Sequence, residues 1–528
     1  MSPHAGLRRS GLLIPLFSGP SERSWGIGDI GDVAPLTKWL AGAGQRVLQL
    51  LPLNEMAPGE QSPYSAISAM AIDPIFIQVS DVEEWIALGG NEALSPADRD
   101  ILAHVRAAPG IEHAAVRGLK GVALSAAFDR FYEHEWRRNS ERAGDLKAFV
   151  SAETWWVDDY ALFCAIRAHE AGRPWPEWPA GFRLRDPEAL SRARSELRRD
   201  LVRYQYLQWI AHTQWQTARA DARANGVQLF GDLPFMVNAD SADVWSHQQC
   251  FRLDVSVGAP PDAFSEAGQD WGMPLYDWAV LASNNFQWLR DRGRRNADLY
   301  DGYRVDHLVG FYRTYGRPRD GGEPFFTPAL EAEQVALGER VLDIFKEPGA
   351  QIIAEDLGIV PDFVRASTAA QGVPGFCVFR WERRWHEPGQ PFRDPEEYRA
   401  NSVAASGTHD TEALIAWWAE APDADREQVS ALPAIQRITG GIGLRGRPFN
   451  PSVRDALLEA LFASGSDLLL MPVQDVFGWP DRINEPGTVT PENWTFRLPW
   501  PCDRMADILE ARACQARLRA WAAQYRRL

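Results

Sequence analysis

Four apolar runs in this sequence end in acids. They read Val227-Gln228-Leu229-Phe230-Gly231-Asp232, Gly302-Tyr303-Arg304-Val305-Asp306-His307, Gln351-Ile352-Ile353-Ala354-Glu355-Asp356 and Ala404-Ala405-Ser406-Gly407-Thr408-His409-Asp410. Carboxylates can attack as nucleophiles or move protons as general acids and bases, provided that two or more reach the same bond. The structural alternative is that each one caps a helix, the usual task of a lone Asp after a strand. Caps need neither a glycine before them nor Arg or His beside them, so four such endings in succession favour a shared cleft. Arg304 stands two residues before Asp306, and on a strand that spacing puts both side chains on one face.

Metal ligation would draw on the same residue types, Asp306-His307 and His409-Asp410. Adjacent strand residues point to opposite faces, and the sequence has no HExxH or EF-hand pattern, so no metal is expected. Gly26-Ile27-Gly28-Asp29-Ile30-Gly31 spells the dinucleotide fingerprint. That motif follows directly on a strand, whereas here Pro20 and several polar residues intervene. It reads as a turn opening a helix, and no cofactor is expected.

Parallel strands are the elements that could bring these acids together. Short apolar runs at 12–17, 47–51, 227–230, 302–305, 351–354, 402–405 and 467–471 are each followed by a polar or glycine-bearing loop and a helical pattern. Such alternation predicts parallel βα units, and this many close naturally into an α/β (β/α)8 TIM barrel; an open doubly wound sheet is the competing arrangement. In a barrel, residues just past the C-terminal strand ends converge on one face. Between 80 and 200 the strand signal fades into Ala-, Glu- and Arg-rich helical periodicity, which reads as a mainly helical insertion. A long helix is expected over 195–224, stopping at Asn225-Gly226, and another from about 504. With no Gly/Ser linker, 1–528 reads as a single elaborated barrel.

Composition narrows the class. Hydrophobic residues make up 45% and charged residues 24%, the balance of a globular chain. A net charge of −16 argues against nucleic acid and anionic membranes, whose phosphates repel an acidic surface. The five cysteines are dispersed without a CxxC pair, as reduced thiols of a cytoplasmic protein would be. The apolar run after Arg8-Arg9 is short, contains Pro15 and lacks a small-residue cleavage site, so it reads as a buried strand and not as a signal peptide. No run approaches the roughly 18 apolar residues of a membrane helix. The 22 tryptophans outnumber the 12 tyrosines; most are expected in the core, with a minority free to serve as platforms for sugar rings.

The same segments carry a family resemblance. The chain resembles the 4-α-glucanotransferases of the amylomaltase (disproportionating enzyme) type, from Ser24-Trp25-Gly26-Ile27-Gly28-Asp29 to Asn493-Trp494-Thr495-Phe496-Arg497. Between these lie Ser62-Pro63-Tyr64, Asp159-Tyr160-Ala161-Leu162-Phe163, Gly231-Asp232-Leu233-Pro234, Gly258-Ala259-Pro260-Pro261-Asp262 and Gly268-Gln269-Asp270-Trp271-Gly272. Arg304-Val305-Asp306-His307, Ala354-Glu355-Asp356-Leu357-Gly358, Gly407-Thr408-His409-Asp410 and Gln474-Asp475 follow in the same order.

The resemblance implies a retaining transfer of α-1,4-glucan segments to the 4-hydroxyl of another glucan or glucose. Asp306 matches the nucleophile, Glu355 the general acid/base and Asp410 a third acid that binds sugar hydroxyls. Arg304 would compensate the charge of the nucleophile, His409 would bond donor-sugar hydroxyls, and Asp232 would support that region. The loop around Asp262 and Phe264 would reach over the donor site, with Phe264, Tyr64 and Trp271 as glucan contacts. Retention requires two carboxyl groups about 5–5.5 Å apart, the acid one with a raised pKa. Leu308-Val309 replace a common Phe-Arg, Thr411 a frequent Asn and Ala263 an aromatic; these departures bear on acceptor preference and on the balance of transfer with hydrolysis. An α-glucan hydrolase with the same carboxylates, and a non-catalytic glucan-binding protein, are the alternatives.

Overall fold

The computed structural model describes residues 8–261 and 268–528. Twelve strands are present among them: β1 (Arg9–Leu13), β2 (Val47–Gln49), β3 (Gln228–Leu233), β4 (Phe251–Ala259), β5 (Gln269–Tyr276), β6 (Gly302–Val305), β7 (Thr314–Pro318), β8 (Phe325–Thr327), β9 (Gln351–Ala354), β10 (Gly375–Val378), β11 (Ser402–Ala405) and β12 (Leu468–Pro472). Eight of them, in the order β1-β12-β11-β10-β9-β6-β3-β2, close into a barrel of parallel neighbours. The (β/α)8 expectation holds, and the open doubly wound sheet is excluded by that closure.

Strand periodicity explains how the barrel is filled. Nine apolar side chains form a core of their own: Val47, Phe230, Ile353, Phe376, Val378, Val403, Ala405, Leu468 and Leu470. Their strand neighbours Leu48, Leu229, Ile352, Cys377, Ala404 and Leu469 belong instead to the larger core outside the sheet. Successive residues therefore alternate between the barrel interior and the surrounding helices. The same alternation stacks the interior. Arg9 bonds to Gln228 and, at 2.7 Å, to Gln351 Oε1 at the lower end. Phe230 and Ile353 fill the middle, and two residues further on come Asp232 and Glu355. Both acids point inward because the apolar residue two positions before each does, Glu355 at the mouth and Asp232 just under it.

Seven barrel strands fall on the runs read from the sequence, and β10 is an addition to them. It is four residues long, starts with a glycine and follows Gly372-Val373-Pro374, too little for a periodic signal. The first strand is shifted: it ends at Leu13, and Leu16–Ser18 forms a 3-10 turn beyond Pro15, which has no N–H for a ladder. A four-stranded antiparallel sheet, β5-β4-β7-β8, also lies outside the sequence reading. The β4–β5 register shifts twice, between Arg252 and Ser256 and between Ser256 and Gly258, so alternation along these strands is broken.

The segment between β2 and β3 is built mainly of helices, among them Pro96–Ala107, His113–Phe131, Glu141–Ala152, Thr154–His169 and Arg198–Ala224. The last starts three residues later than expected because the preceding helix runs to Glu196. It is tied to the barrel by the Trp215 indole, which donates to Leu299 O at 2.8 Å. The Gly26–Gly31 motif is the expected turn: Asp29 accepts from Gly31 N and caps the short helix Ile30–Asp32.

Gly231 shows why glycine precedes the first acid. A Cβ there would stand 2.2 Å from the Tyr300 ring, which fills the space outside β3. Gly231→Ala is expected to lower unfolding stability by about 1–3 kcal/mol, the usual cost of overpacking, measurable as a reduced urea midpoint at unchanged slope.

Candidate active site

Asp306 and Glu355 each stand one residue beyond a strand end. β6 and β9 pair in parallel with Val305 opposite Ala354, so the two acids continue the same register on neighbouring strands. The ladder runs on beneath them, with Asp306 N donating to Leu233 O at 3.0 Å and Glu355 N to Val305 O at 3.0 Å. Glu355 accepts from His307 N at 2.9 Å and from Leu357 N at 3.0 Å, one bond to each carboxyl oxygen. Burial pushes its pKa up to about 7, opposed by Arg304 and assisted by the negative charge of Asp306.

Arg304 binds two acids at once. Its Nη2 lies 2.7 Å from Asp306 Oδ1 and its Nη1 2.6 Å from Asp232 Oδ2. Arg304 pairs in register with Asp232 across β6 and β3, so the contact follows from strand alignment. Tyr64 adds a third partner: its hydroxyl accepts from Arg304 Nη1 at 3.3 Å and donates to Asp232 Oδ2 at 2.7 Å. Burial raises the Asp232 carboxyl to about 6, with Arg304 pulling down and Asp306 pushing up. Arg304→Met would leave a fully buried acid and Asp306 without their cation. The expected cost is about 3–5 kcal/mol of unfolding free energy in denaturant titration, with only partial recovery in Arg304→Lys, which lacks the two-pronged geometry.

Asp410 is held from the other side. Asn484 Nδ2 donates to Asp410 Oδ1 at 2.6 Å, and His409 Nε2 lies 3.2 Å from Oδ2. Burial works to raise this carboxyl, but the charge and hydrogen bond of His409, the Asn484 donor and Arg304 outweigh it and hold the group well below the ordinary carboxylate range. Thr411 closes the turn beneath, taking Thr408 N at 3.0 Å on its hydroxyl. Gly407 permits this, since a Cβ there would meet Thr411 Oγ1 at 2.4 Å. Tyr64 stacks on His409 with centroids 5.3 Å apart and rings 18° from parallel, and Trp494 lies 5.9 Å from each.

These groups share one cleft of about 1050 Å³, whose wall includes Tyr64, Arg304, Asp306, Glu355, His409 and Asp410. Asp232 lies just beneath, behind Arg304. Trp271 on β5 also lines the cleft, edge-on to His307 at 4.9 Å. His307 packs between Trp271 and Phe235, away from the Arg304 contact of Asp306, as opposite-facing neighbours should be. Leu308 is fully buried and Val309 packs against the outer core. Asp262, Ala263 and Phe264 lie outside the described residues.

Sequence reasoning missed Asn484, Trp381 and Trp385, which line the cleft, and assigned no role to Trp494. The segment holding Asn484 is irregular and follows no strand; its only cue was the Asn-Glu-Pro-Gly turn signature at 484–487.

The family model described as 4-alpha-glucanotransferase matches residues 14–503. The chain belongs to this 4-alpha-glucanotransferase family. Among relatives, the 4-alpha-glucanotransferase of Synechocystis sp. is 33% identical over 93% of this chain and 94% of its own length. That of Thermus thermophilus is 32% identical over 93% and 95%. The amylomaltase from Streptococcus agalactiae, solved in complex with acarbose, superposes with a TM-score of 0.81 at 27% identity, covering 98% of this chain and 99% of that one. The activity of this glucanotransferase is accordingly the transfer of 4-α-glucanosyl segments. No helix among its described residues is long and apolar enough to cross a membrane.

Proposed function

We propose that this glucanotransferase works by a retaining double displacement in which Asp306 is the nucleophile and Glu355 the acid/base. Asp306 attacks the anomeric carbon of an α-1,4-linked donor while Glu355 protonates the departing 4-oxygen. A β-glucosyl ester forms and the shortened glucan leaves. Glu355, now deprotonated, takes the proton of an incoming 4-hydroxyl, which breaks the ester and restores the α-linkage. The observation that carries this reading is the pair itself: two acids in register on adjacent strands, one of them half-buried with its pKa raised to about 7 and so able to give and take a proton.

Asp410 and His409 would bond donor hydroxyls, with Asp232 and Tyr64 holding Arg304 in place. Trp271 would offer an apolar face, and Asp262 and Phe264 enter through the sequence resemblance alone. Malto-oligosaccharides and α-1,4-glucans are the donors, with a second glucan or glucose as acceptor. The acarbose bound by the Streptococcus agalactiae amylomaltase supports that substrate class. In the same reading, 1–528 is one catalytic unit with its helical insertion at 80–200. Five buried, unpaired cysteines suit a reducing cytoplasm.

Incubation of the pure protein with maltotriose tests the function. A ladder of longer oligomers together with glucose is the expected product set. Shorter products alone, with rising reducing ends, would mean hydrolysis.

A further inference from the structure

Glu382 is a carboxylate in the cleft that the displacement just proposed does not use. It stands beyond β10, between Trp381 and Trp385, and all three line the cleft wall. The two indoles are 44% and 55% exposed, large apolar faces open to the cleft. Among the described residues the Glu382 carboxyl has no hydrogen bond or ion pair. Arg393, Arg365 and Arg399 attract it without forming an ion pair, and the Arg365 guanidinium bonds Asp356 at 3.2 Å. Burial nevertheless holds this carboxyl above its ordinary value. A half-buried carboxylate that lines the cleft without a protein hydrogen bond keeps its acceptor positions open to the hydroxyls of a ligand.

The position of this wall indicates what it would hold. Around the barrel, β6, β9 and β10 are consecutive neighbours. Asp306 follows the first, Glu355 the second and Glu382 the third. A glycosidic linkage has the same order: the anomeric carbon that meets the nucleophile, the bridging oxygen that meets the acid/base, then the departing sugar. The donor-side groups Tyr64, Asp232, Arg304, His409 and Asp410 are already interlocked by their own hydrogen bonds and stacking.

We propose that Glu382 and Trp385 form an acceptor-side sugar subsite, the carboxylate accepting pyranose hydroxyls and the indole covering the apolar face of a ring beyond the one that reacts. This assignment rests on Asp306 and Glu355 acting as described. It makes the pair a determinant of acceptor length: an acceptor of several rings reaches the subsite, whereas glucose, a single ring beside Glu355, does not.

The test measures transfer from α-maltosyl fluoride to glucose and to maltotriose as competing acceptors, in wild type, Glu382→Gln and Trp385→Ala. The expected result is a fall in the maltotriose-to-glucose ratio of kcat/KM, about ten- to a hundredfold in Glu382→Gln, the usual range for losing a charged hydrogen bond, and about three- to tenfold in Trp385→Ala, which loses the aromatic contact. An unchanged ratio in both variants, or equal losses for both acceptors, would overturn the subsite. Matching thermal unfolding of variants and wild type rules out a folding effect, which Trp385, more than half exposed, is placed to avoid. If wild type itself transfers to neither acceptor, the displacement reading fails instead.

Discussion

Asp306→Asn is expected to lose transfer by on the order of 10⁴- to 10⁶-fold, the range seen when a nucleophile that acts with its partners is removed. The amide is isosteric and can still accept from Arg304, so the cleft should keep its shape. What it lacks is the charge that forms the ester. The diagnostic comparison uses α-maltosyl fluoride, whose leaving group departs without a proton. Asp306→Asn should stay inactive on this donor, because no leaving group compensates for a missing nucleophile. Near-normal fluoride release from that variant would mean that another residue attacks. The geometry disfavours such a substitute: Glu355 is bound by two backbone N–H groups and Asp410 by Asn484 and His409.

Glu355→Gln should behave differently. Transfer between natural glucans is expected to fall about 10²- to 10⁴-fold. Fluoride release in the first turnover should remain fast, since protonation of the departing atom is no longer needed. The second step still lacks its base, so a maltosyl-enzyme should accumulate and be visible by intact mass. Azide, which needs no base, should release it as the α-azide; a β-azide would contradict an ester intermediate. The pH profile supplies an independent sign. Glu355 must be protonated for the first step, and with its pKa raised to about 7, wild-type kcat/KM should decline above about pH 7, approaching tenfold per unit. The variant has no proton to lose there and should show no such limb. A basic limb that survives in Glu355→Gln would move the acid role to another group.

Much of this site could be read before any coordinates, for a local reason. Gly302-Tyr303-Arg304-Val305-Asp306 carries its own instructions: the apolar residues make a strand, the period of two sets Arg304 and Asp306 on one face, and the strand end places Asp306 at the mouth. Phe230 before Asp232 and Ile353 before Glu355 repeat the same pattern. Chain segments without a regular period left no such trace. β10 was too short to register, β4 and β5 lose alternation at their bulges, and Asn484 lies on an irregular loop whose bond to Asp410 spans a sequence separation of 74 residues.

Hydrophobic periodicity and strand-end position belong to short stretches, so the parallel barrel and its acid-ended strands were legible in the residues, and the ordered motifs from Ser24 to Arg497 carried the resemblance to the family. Tertiary structure alone decided that Arg304 serves Asp232 and Asp306 together, that Tyr64, His409 and Trp494 form one aromatic group, and that Glu355 is buried enough to titrate near neutrality. Those outcomes depend on which distant segments meet and on how much water they exclude, and neither strand period nor residue type encodes desolvation.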